Sequence, residues 1–96
     1  MLLKAGVDIS RLERKTRRSL TVVEVIFEDE GQPLIITSTY EGDHGAGSLH
    51  YANQAYHIRT PVMQTVRIFN RVRDALSEDF DFVAETDHWH IEYNPD

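Results

Sequence analysis

The spacing of apolar residues in the first third of the chain predicts a long amphipathic helix. Between Ile9 and Glu30, apolar or weakly polar side chains recur every three or four residues, at Leu12, Thr16, Leu20, Val23 and Phe27. A period of about 3.6 residues places them on one face of a helix. Ser10 is a candidate N-cap, with Glu13 three residues later as in a capping box. Gly31, followed by Pro33, predicts the end of the helix.

The middle of the chain predicts strands, a loop and a second helix. Residues 33–40 are β-branched and apolar, which favours a buried strand. Residues 41–48 hold three glycines and predict a loop, and residues 49–60 predict an extended segment interrupted at 52–54. Pro61 is well suited to open a second helix. Its predicted apolar stripe is Val62, Val66, Phe69, Val72 and Leu76.

The C-terminal part of the chain predicts two short strands, Phe80–Ala84 and His88–Tyr93, joined by residues 85–87. The order helix, strand, loop, strand, helix, strand, strand indicates an α+β fold, in which two helices pack on an antiparallel sheet. The 96 residues contain no repeat and no linker, so we expect one domain over residues 1–96.

Composition narrows the classes of function. Hydrophobic residues make up 41% and charged residues 27%, which is typical of a globular chain, and there is no apolar run long enough to span a membrane. The chain has no cysteine, so any metal site must use His, Asp or Glu. A formal net charge of −6 argues against sequence-independent binding of nucleic acid. The basic residues of segment 11–18 are interpreted as a solvated helix face.

The placement of the five histidines is the strongest chemical signal in the sequence. His50 follows the glycine-rich loop, His57 ends the next extended segment, and His90 alternates with His88 on the last predicted strand. A catalytic zinc needs three protein ligands and one open position, and His50, His57 and His90 can supply them. His44 is interpreted as a loop residue or as a residue that supports a ligand, and His88 as a supporting residue or a substrate contact. The alternative is a set of unrelated surface histidines.

Two backbone turns are needed to bring these side chains together. His50 and His57 are seven residues apart and would face opposite sides of one straight strand, so we expect a turn or bulge between them, with Asn53 as the candidate. Asp87 and His90 are three residues apart, and a turn at residues 85–87 would direct Asp87 back toward the metal. Trp89 points away from His90 on the same strand and is predicted to pack in the core.

At Ser48-Leu49-His50-Tyr51 and at residues 87–93 the sequence resembles a known family. It is similar to the zinc D-Ala-D-Ala carboxypeptidases and endolysin-type peptidases, which are related to the Hedgehog signalling domain. Their pattern is Ser-x-His-x-x-Gly-x-Ala-x-Asp, followed by a carboxylate and a His-x-His strand. The start Gly6-Val7-Asp8 and the ending of residues 85–93 look closest to short phage members.

The resemblance implies a role for each matching position. His50 matches the first zinc ligand, His90 matches the last, and position 57 matches a ligand that is normally Asp. Asp87 matches the general base of the peptidase branch, whereas Glu85 lies nearer the carboxylate of the Hedgehog domain. We therefore prefer Asp87 as the base and keep Glu85 as its rival or partner.

This chain departs from the family pattern at His57, which stands where the pattern has Asp. A site with three histidines can still bind zinc and activate water, but the change also allows a weakened site. The branch that trims free D-Ala-D-Ala ends uses an Arg to hold the substrate carboxylate. Residues 37–47 contain no Arg, and Arg59 is the candidate to replace it.

The resemblance thus implies a zinc-dependent peptidase that acts on peptidoglycan peptides, either as a carboxypeptidase or as an endopeptidase, and that is encoded by a phage. The alternative is a non-catalytic module that binds metal, peptide or protein on the same fold. The N-terminal residues do not predict a signal peptide, so we expect a cytoplasmic protein that is released by lysis or by a holin-type pore. The expected partner is a peptidoglycan peptide, with no nucleic acid and no membrane.

Overall fold

A computed structural model describes residues 1–39 and 54–95 of the chain. They form an α+β globule of five strands and two helices. The elements are β1 (Leu2–Leu3), α1 (Arg14–Asp29), β2 (Ile35–Ser38), β3 (Ala55–Arg59), α2 (Thr65–Ala75), β4 (Phe80–Ala84) and β5 (His88–Tyr93). The α+β class and the bounds of the last two strands agree with the sequence-based prediction.

The sheet is mixed, so the prediction of a purely antiparallel sheet was wrong. Its strand order is β1-β2-β3-β5-β4, and β1 pairs with β2 in parallel while all other neighbours are antiparallel. Strand β1 consists of two residues, which is too short for an alternating pattern to be seen in the sequence. Helix α1 is the crossover connection that a parallel pair requires.

Helix α1 begins later than the sequence pattern predicted, at Arg14 instead of near Ser10. The Glu13 side chain caps the helix by accepting from the backbone N–H of Lys15. Ser10 instead donates both its backbone N–H and its hydroxyl to the Asp8 carboxylate, at 2.9 and 2.6 Å. This local turn satisfies Ser10 before the helix starts, so Ser10 is not the cap.

Helix α1 ends where the sequence predicted, at a glycine in the left-handed backbone region. Gly31 has φ 70°. Its N–H donates to the Glu28 carbonyl at 3.0 Å, and the next N–H, of Gln32, donates to the Phe27 carbonyl at 2.9 Å. These two bonds form a Schellman motif, which satisfies carbonyl groups that the helix leaves without partners.

Replacing Gly31 with alanine is expected to lower the free energy of unfolding by about 1 kcal/mol, since a Cβ is disfavoured at positive φ. A Cβ at this position would meet no atom within 4 Å, so the cost comes from the backbone alone. Urea denaturation monitored by circular dichroism measures it. Gly31→Asn is the matched control and should cost less, because asparagine tolerates this conformation. Equal stability of wild type and Gly31→Ala would contradict the assignment.

Helix α2 begins at Thr65, so the prediction that Pro61 opens it was wrong. Gln64 precedes the helix in the left-handed region, with φ 56°. The start after Gln64 sets which helix face meets the sheet, and Ile68 is among the residues on that face. Val62 and Val66, both predicted for the apolar stripe, are 85% and 74% exposed.

The core lies between the two helices and one face of the sheet. Trp89 is its largest side chain and is 1% exposed. Its ring contacts those of Phe27, Phe69 and Phe82 edge to face, with centroids 5.3–6.1 Å apart. Because side chains alternate along a strand, burial of Trp89 directs its neighbour His90 to the opposite face of the sheet.

Within residues 1–39 and 54–95, no helix combines the length and the hydropathy that crossing a lipid bilayer requires.

Candidate metal centre

The sheet face opposite the core carries three aligned histidines on the neighbouring strands β3 and β5. In the register of these strands, His57 faces His90 and Arg59 faces His88. Cross-strand partners share one face of a sheet and lie close together. Because alternate residues of a strand share a face, His57 and Arg59 of β3 and His88 and His90 of β5 place three imidazoles and one guanidinium on the same surface.

His57 and His90 meet directly. The Nε2 atom of His57 lies 2.8 Å from the Nδ1 atom of His90, within hydrogen-bond distance. Their rings are tilted by 59° with centroids 4.9 Å apart. The two described residues that the sequence predicted as metal ligands are thus brought together. His50, the third predicted ligand, lies outside the described residues, as do His44 and the proposed turn at Asn53.

Glu92 forms a hydrogen bond with the second ring nitrogen of His90. The Nε2 atom of His90 lies 2.8 Å from Glu92 Oε1, and both side chains are about four-fifths shielded from solvent. A carboxylate can only accept, so we assign the proton to Nε2 of His90. In the neutral ring Nδ1 then carries a lone pair, which accepts from Nε2–H of His57.

Sequence reasoning assigned no role to Glu92. The signal was available, since residues 90 and 92 are two apart on a predicted strand and therefore share a face. A histidine that donates its second nitrogen to a carboxylate is a common arrangement around zinc, where the carboxylate fixes the ring orientation and raises the basicity of the ligand.

His88 has a different environment from His90. Its ring stacks on that of His57 with centroids 4.4 Å apart, and its Nδ1 atom lies 2.8 Å from Asp87 Oδ1. The hydrogen bond from His88 lowers the pKa of Asp87, whose carboxylate is otherwise open to solvent. His88 thus connects the Asp87 carboxylate to the His57 ring.

The turn predicted between the last two strands is present at residues 85–87. The N–H of Glu85 donates to the His88 carbonyl at 2.8 Å, and the Thr60 N–H donates to the Asp87 carbonyl at 3.3 Å. Asp87 lines a cleft that also contains His57, His88 and Arg59, whereas Glu85 does not line it. The relative roles of Asp87 and Glu85 as base stay predictions.

The geometry of the His57–His90 pair can be compared with that of a zinc site. Zinc–nitrogen bonds of about 2.0–2.1 Å in a tetrahedral site hold two ligand nitrogens about 3.3–3.4 Å apart. The observed 2.8 Å separation would have to widen by about half an ångström. Imidazole nitrogens are donors that zinc binds, so the chemistry of the pair fits zinc. Glu92 accepts a hydrogen bond from the second nitrogen of His90.

Among the residues that the structure describes, no group of three His, Asp or Glu side chains converges on one point. Glu92 is bonded to the far nitrogen of His90, and the ring of His88 is stacked on that of His57 with centroids 4.4 Å apart. Neither is therefore placed as a third ligand beside His57 and His90. His50, the third predicted ligand, belongs to the segment 40–53, outside the described residues.

Removing the charge of Glu92 is expected to weaken zinc binding. In Glu92→Gln the amide oxygen can still accept from His90, but the ring loses the anionic partner that makes Nδ1 a stronger donor to the metal. We expect the dissociation constant for zinc to rise about 10-fold, and more in Glu92→Ala. Competition with a chromophoric chelator measures it.

Glu85→Gln is the matched control, because it removes a nearby exposed carboxylate that does not contact His90. Its zinc affinity should equal that of the wild type. An unchanged affinity in Glu92→Ala would show that Glu92 does not support the metal ligand.

No protein-family model, curated protein or solved structure matches this chain.

Proposed function

We propose that the chain is a zinc-dependent peptidase-like protein that acts on peptidoglycan peptides, with the fold of the Hedgehog and D-Ala-D-Ala peptidase group. The observation that carries the proposal is the His57–His90–Glu92 chain of hydrogen bonds at 2.8 Å each. It places two predicted ligands with their ring nitrogens together and a carboxylate behind one of them. The motif resemblance at His50 supplies the third ligand of the proposal.

The proposed metal ligands are His50, His57 and His90. To bind, His57 would carry its proton on Nδ1, because Nε2 is the atom that meets His90. Bound zinc would supply Lewis acidity toward a scissile carbonyl and toward water. Glu92 would keep the proton of His90 on Nε2 and so leave Nδ1 to the metal.

The acid–base role is proposed for Asp87. The carboxylate would take a proton from the attacking water and pass it to the leaving amine nitrogen. The Asp87 carboxylate is charged at neutral pH, and the hydrogen bond from His88, which lowers its pKa, holds it in place. His88 would hold Asp87 on the side of the cleft that contains His57. Glu85 remains the rival for this role.

The test is hydrolysis of short peptidoglycan peptides by zinc-loaded protein, with products identified by mass spectrometry. We expect cleavage by the wild type, loss of it with a chelator, and a fall of at least about 100-fold in kcat for Asp87→Asn. Glu85→Gln, measured in parallel, decides between the two carboxylates. Full activity of both variants would contradict the proposed base.

A non-catalytic module is the second candidate. It is favoured by the direct hydrogen bond between His57 and His90, which occupies the two nitrogens that a metal would need. In that case the sheet face that carries His57, His88 and His90 would bind a peptide or a protein partner without cutting it. Peptide binding that persists in the presence of a chelator, with no hydrolysis under any metal, would support the module over the enzyme.

A further inference from the structure

Strand β4 forms one edge of the sheet. Among residues 1–39 and 54–95, no strand pairs with its outer side, and β5 pairs with its inner side over Phe80–Ala84. The unpaired edge of a sheet presents backbone N–H and C=O groups to a further strand, and proteins commonly limit such pairing with short or charged edge strands. The opposite edge, β1, has only two residues. Strand β4 has five residues with a single charge, Asp81, so it is the edge that can accept a partner.

The outward backbone groups of β4 follow from its pairing with β5. In an antiparallel pair, residues that exchange hydrogen bonds with the neighbouring strand alternate with residues that do not. The Glu85 N–H donates to the His88 carbonyl at 2.8 Å, so these two residues form a hydrogen-bonded pair. Positions 81 and 83 have the same phase in the register. The N–H and C=O groups of Phe82 and Ala84 therefore point to the outer side, with the two-residue spacing that an added strand needs.

A cleft connects this edge with the proposed metal centre. It has a volume of about 480 Å³, within the range of ligand sites, and its walls include β4 residues 80–83, the end of α2, and His90 and Glu92 of β5. In the strand register, Asp81 is the partner of Glu92 and Val83 is the partner of His90. The four side chains therefore share one face of the sheet. A chain paired with the β4 edge would lie beside His90, which favours the peptide substrate as its occupant.

The charge around the β4 edge is negative. From Asp74 to Asp96 the sequence holds eight Asp and Glu residues and no Lys or Arg. Asp81 is exposed, and Arg73, the cation of the cleft, lies 3.3 Å from the Asp74 carboxylate. Pairing of two copies through β4 would bring two acidic edges together, which is unfavourable. A peptide with a basic side chain would instead meet a surface of opposite charge.

We propose that the outer edge of β4 binds an extended peptide as a sixth strand, and that Asp81 selects a peptide with a Lys or Arg side chain. Backbone hydrogen bonds to Phe82 and Ala84 would supply affinity, and side chains that alternate along the added strand would supply specificity. The basic side chain would lie on the face that carries His90, since Asp81 shares that face. The position of the peptide beside the reacting groups rests on the proposed function.

The experiment measures binding of acetylated, amidated peptides to metal-free protein by NMR titration. Three probes of one β-branched sequence carry Lys, Gln or Glu at the centre, and two further Lys probes carry N-methyl groups on alternate amides, one in each phase. We expect the Lys probe to bind about tenfold more tightly than the Glu probe and to shift the amide signals of Phe82 and Ala84. One of the two N-methylated probes should lose binding, because its donors to the edge are blocked. Equal binding of all five probes would overturn the proposal.

Two variants of β4 test the two parts of the proposal separately. Asp81→Asn is expected to remove most of the preference for the Lys probe. Ala84→Pro is expected to weaken every probe at least about tenfold, because proline removes an outward N–H that an edge strand does not need for its own sheet. Glu28→Gln removes an exposed carboxylate of α1 outside the cleft and is the matched control.

A charge preference that survives Asp81→Asn, together with binding that survives Ala84→Pro, would overturn the edge site. The N-methylated probes test the same hydrogen bonds on the wild type, should Ala84→Pro fold poorly. Shifts of the Phe82 and Ala84 amide signals that depend on protein concentration without peptide would assign the edge to a second copy and overturn the peptide site.

Kinetics of zinc-loaded protein separate the edge site from the proposed function. If peptides are cleaved, Asp81→Asn should raise KM for a Lys-containing substrate about tenfold with little change in kcat. Cleavage that depends neither on the basic side chain nor on Ala84 would overturn the edge site alone. Binding of the Lys probe at β4, with no cleavage of any peptide, would support the edge site and contradict the peptidase.

Discussion

Replacing His90 with alanine is expected to abolish zinc binding while the fold is retained. His90 is central among the three histidines on the sheet face opposite the core. Its Nδ1 is hydrogen-bonded to His57, and its Nε2 is hydrogen-bonded to Glu92. Without its ring, a site of three ligands falls to two, and we expect metal content to drop from about one ion per chain to below about a tenth. The loss of two part-buried hydrogen bonds should lower the free energy of unfolding by about 1–2 kcal/mol.

His88→Ala is the matched control for His90→Ala. His88 lies on the same strand face as His90, but its ring stacks on that of His57 and it is not among the proposed ligands. Metal content should stay near the wild-type value in His88→Ala, with circular dichroism spectra of both variants unchanged. Equal loss of metal in the two variants would show that the face binds zinc through a different set of ligands.

Replacing Trp89 with alanine is expected to have the largest effect on stability of any single change considered. The ring is almost completely buried and packs against three aromatic side chains. Truncation of a buried tryptophan costs about 3–5 kcal/mol, whereas small domains have about 5–15 kcal/mol in total. We therefore expect Trp89→Ala to lower the melting temperature by more than 10 °C, or to prevent folding.

The control is Val66→Ala on α2, a position that is largely exposed. It should change the free energy of unfolding by less than about 0.5 kcal/mol. A melting temperature of Trp89→Ala close to that of the wild type would contradict the described core. Trp89 and His90 are neighbours in the sequence, so the contrast between their variants tests the alternation of β5 directly.

The elements that could be predicted from the sequence are those whose period extends over several turns or residues. The buried face of α1 and the bounds of β4 and β5 follow from such patterns. Strand β1 could not be predicted, because two residues carry no period and its pairing depends on the return of the chain after α1. The predicted start of α2 at Pro61 was wrong, because Gln64 has a left-handed backbone conformation and the helix begins after it, four residues beyond Pro61.

The site could be predicted in part. Alternation along β5 predicted that His88 and His90 share a face, but the pairing of His57 with His90 depends on strand register, which is set by long-range packing. Glu92 was given no role from the sequence, although its spacing of two residues from His90 places both side chains on one face. That Lys4 and Arg59 line the same cleft could not be predicted, because Lys4 follows the unpredicted strand β1.

Metal content of the purified protein is the most direct test of the central claim that His57 and His90 are ligands of one zinc ion. Elemental analysis of wild type, His57→Ala and His57→Asp after equilibration with zinc gives the answer. We predict about one zinc ion per chain in wild type, little in His57→Ala, and about one again in His57→Asp, since a carboxylate can replace the imidazole as a ligand. A metal-free wild type, with zinc bound only by His57→Asp, would contradict the claim.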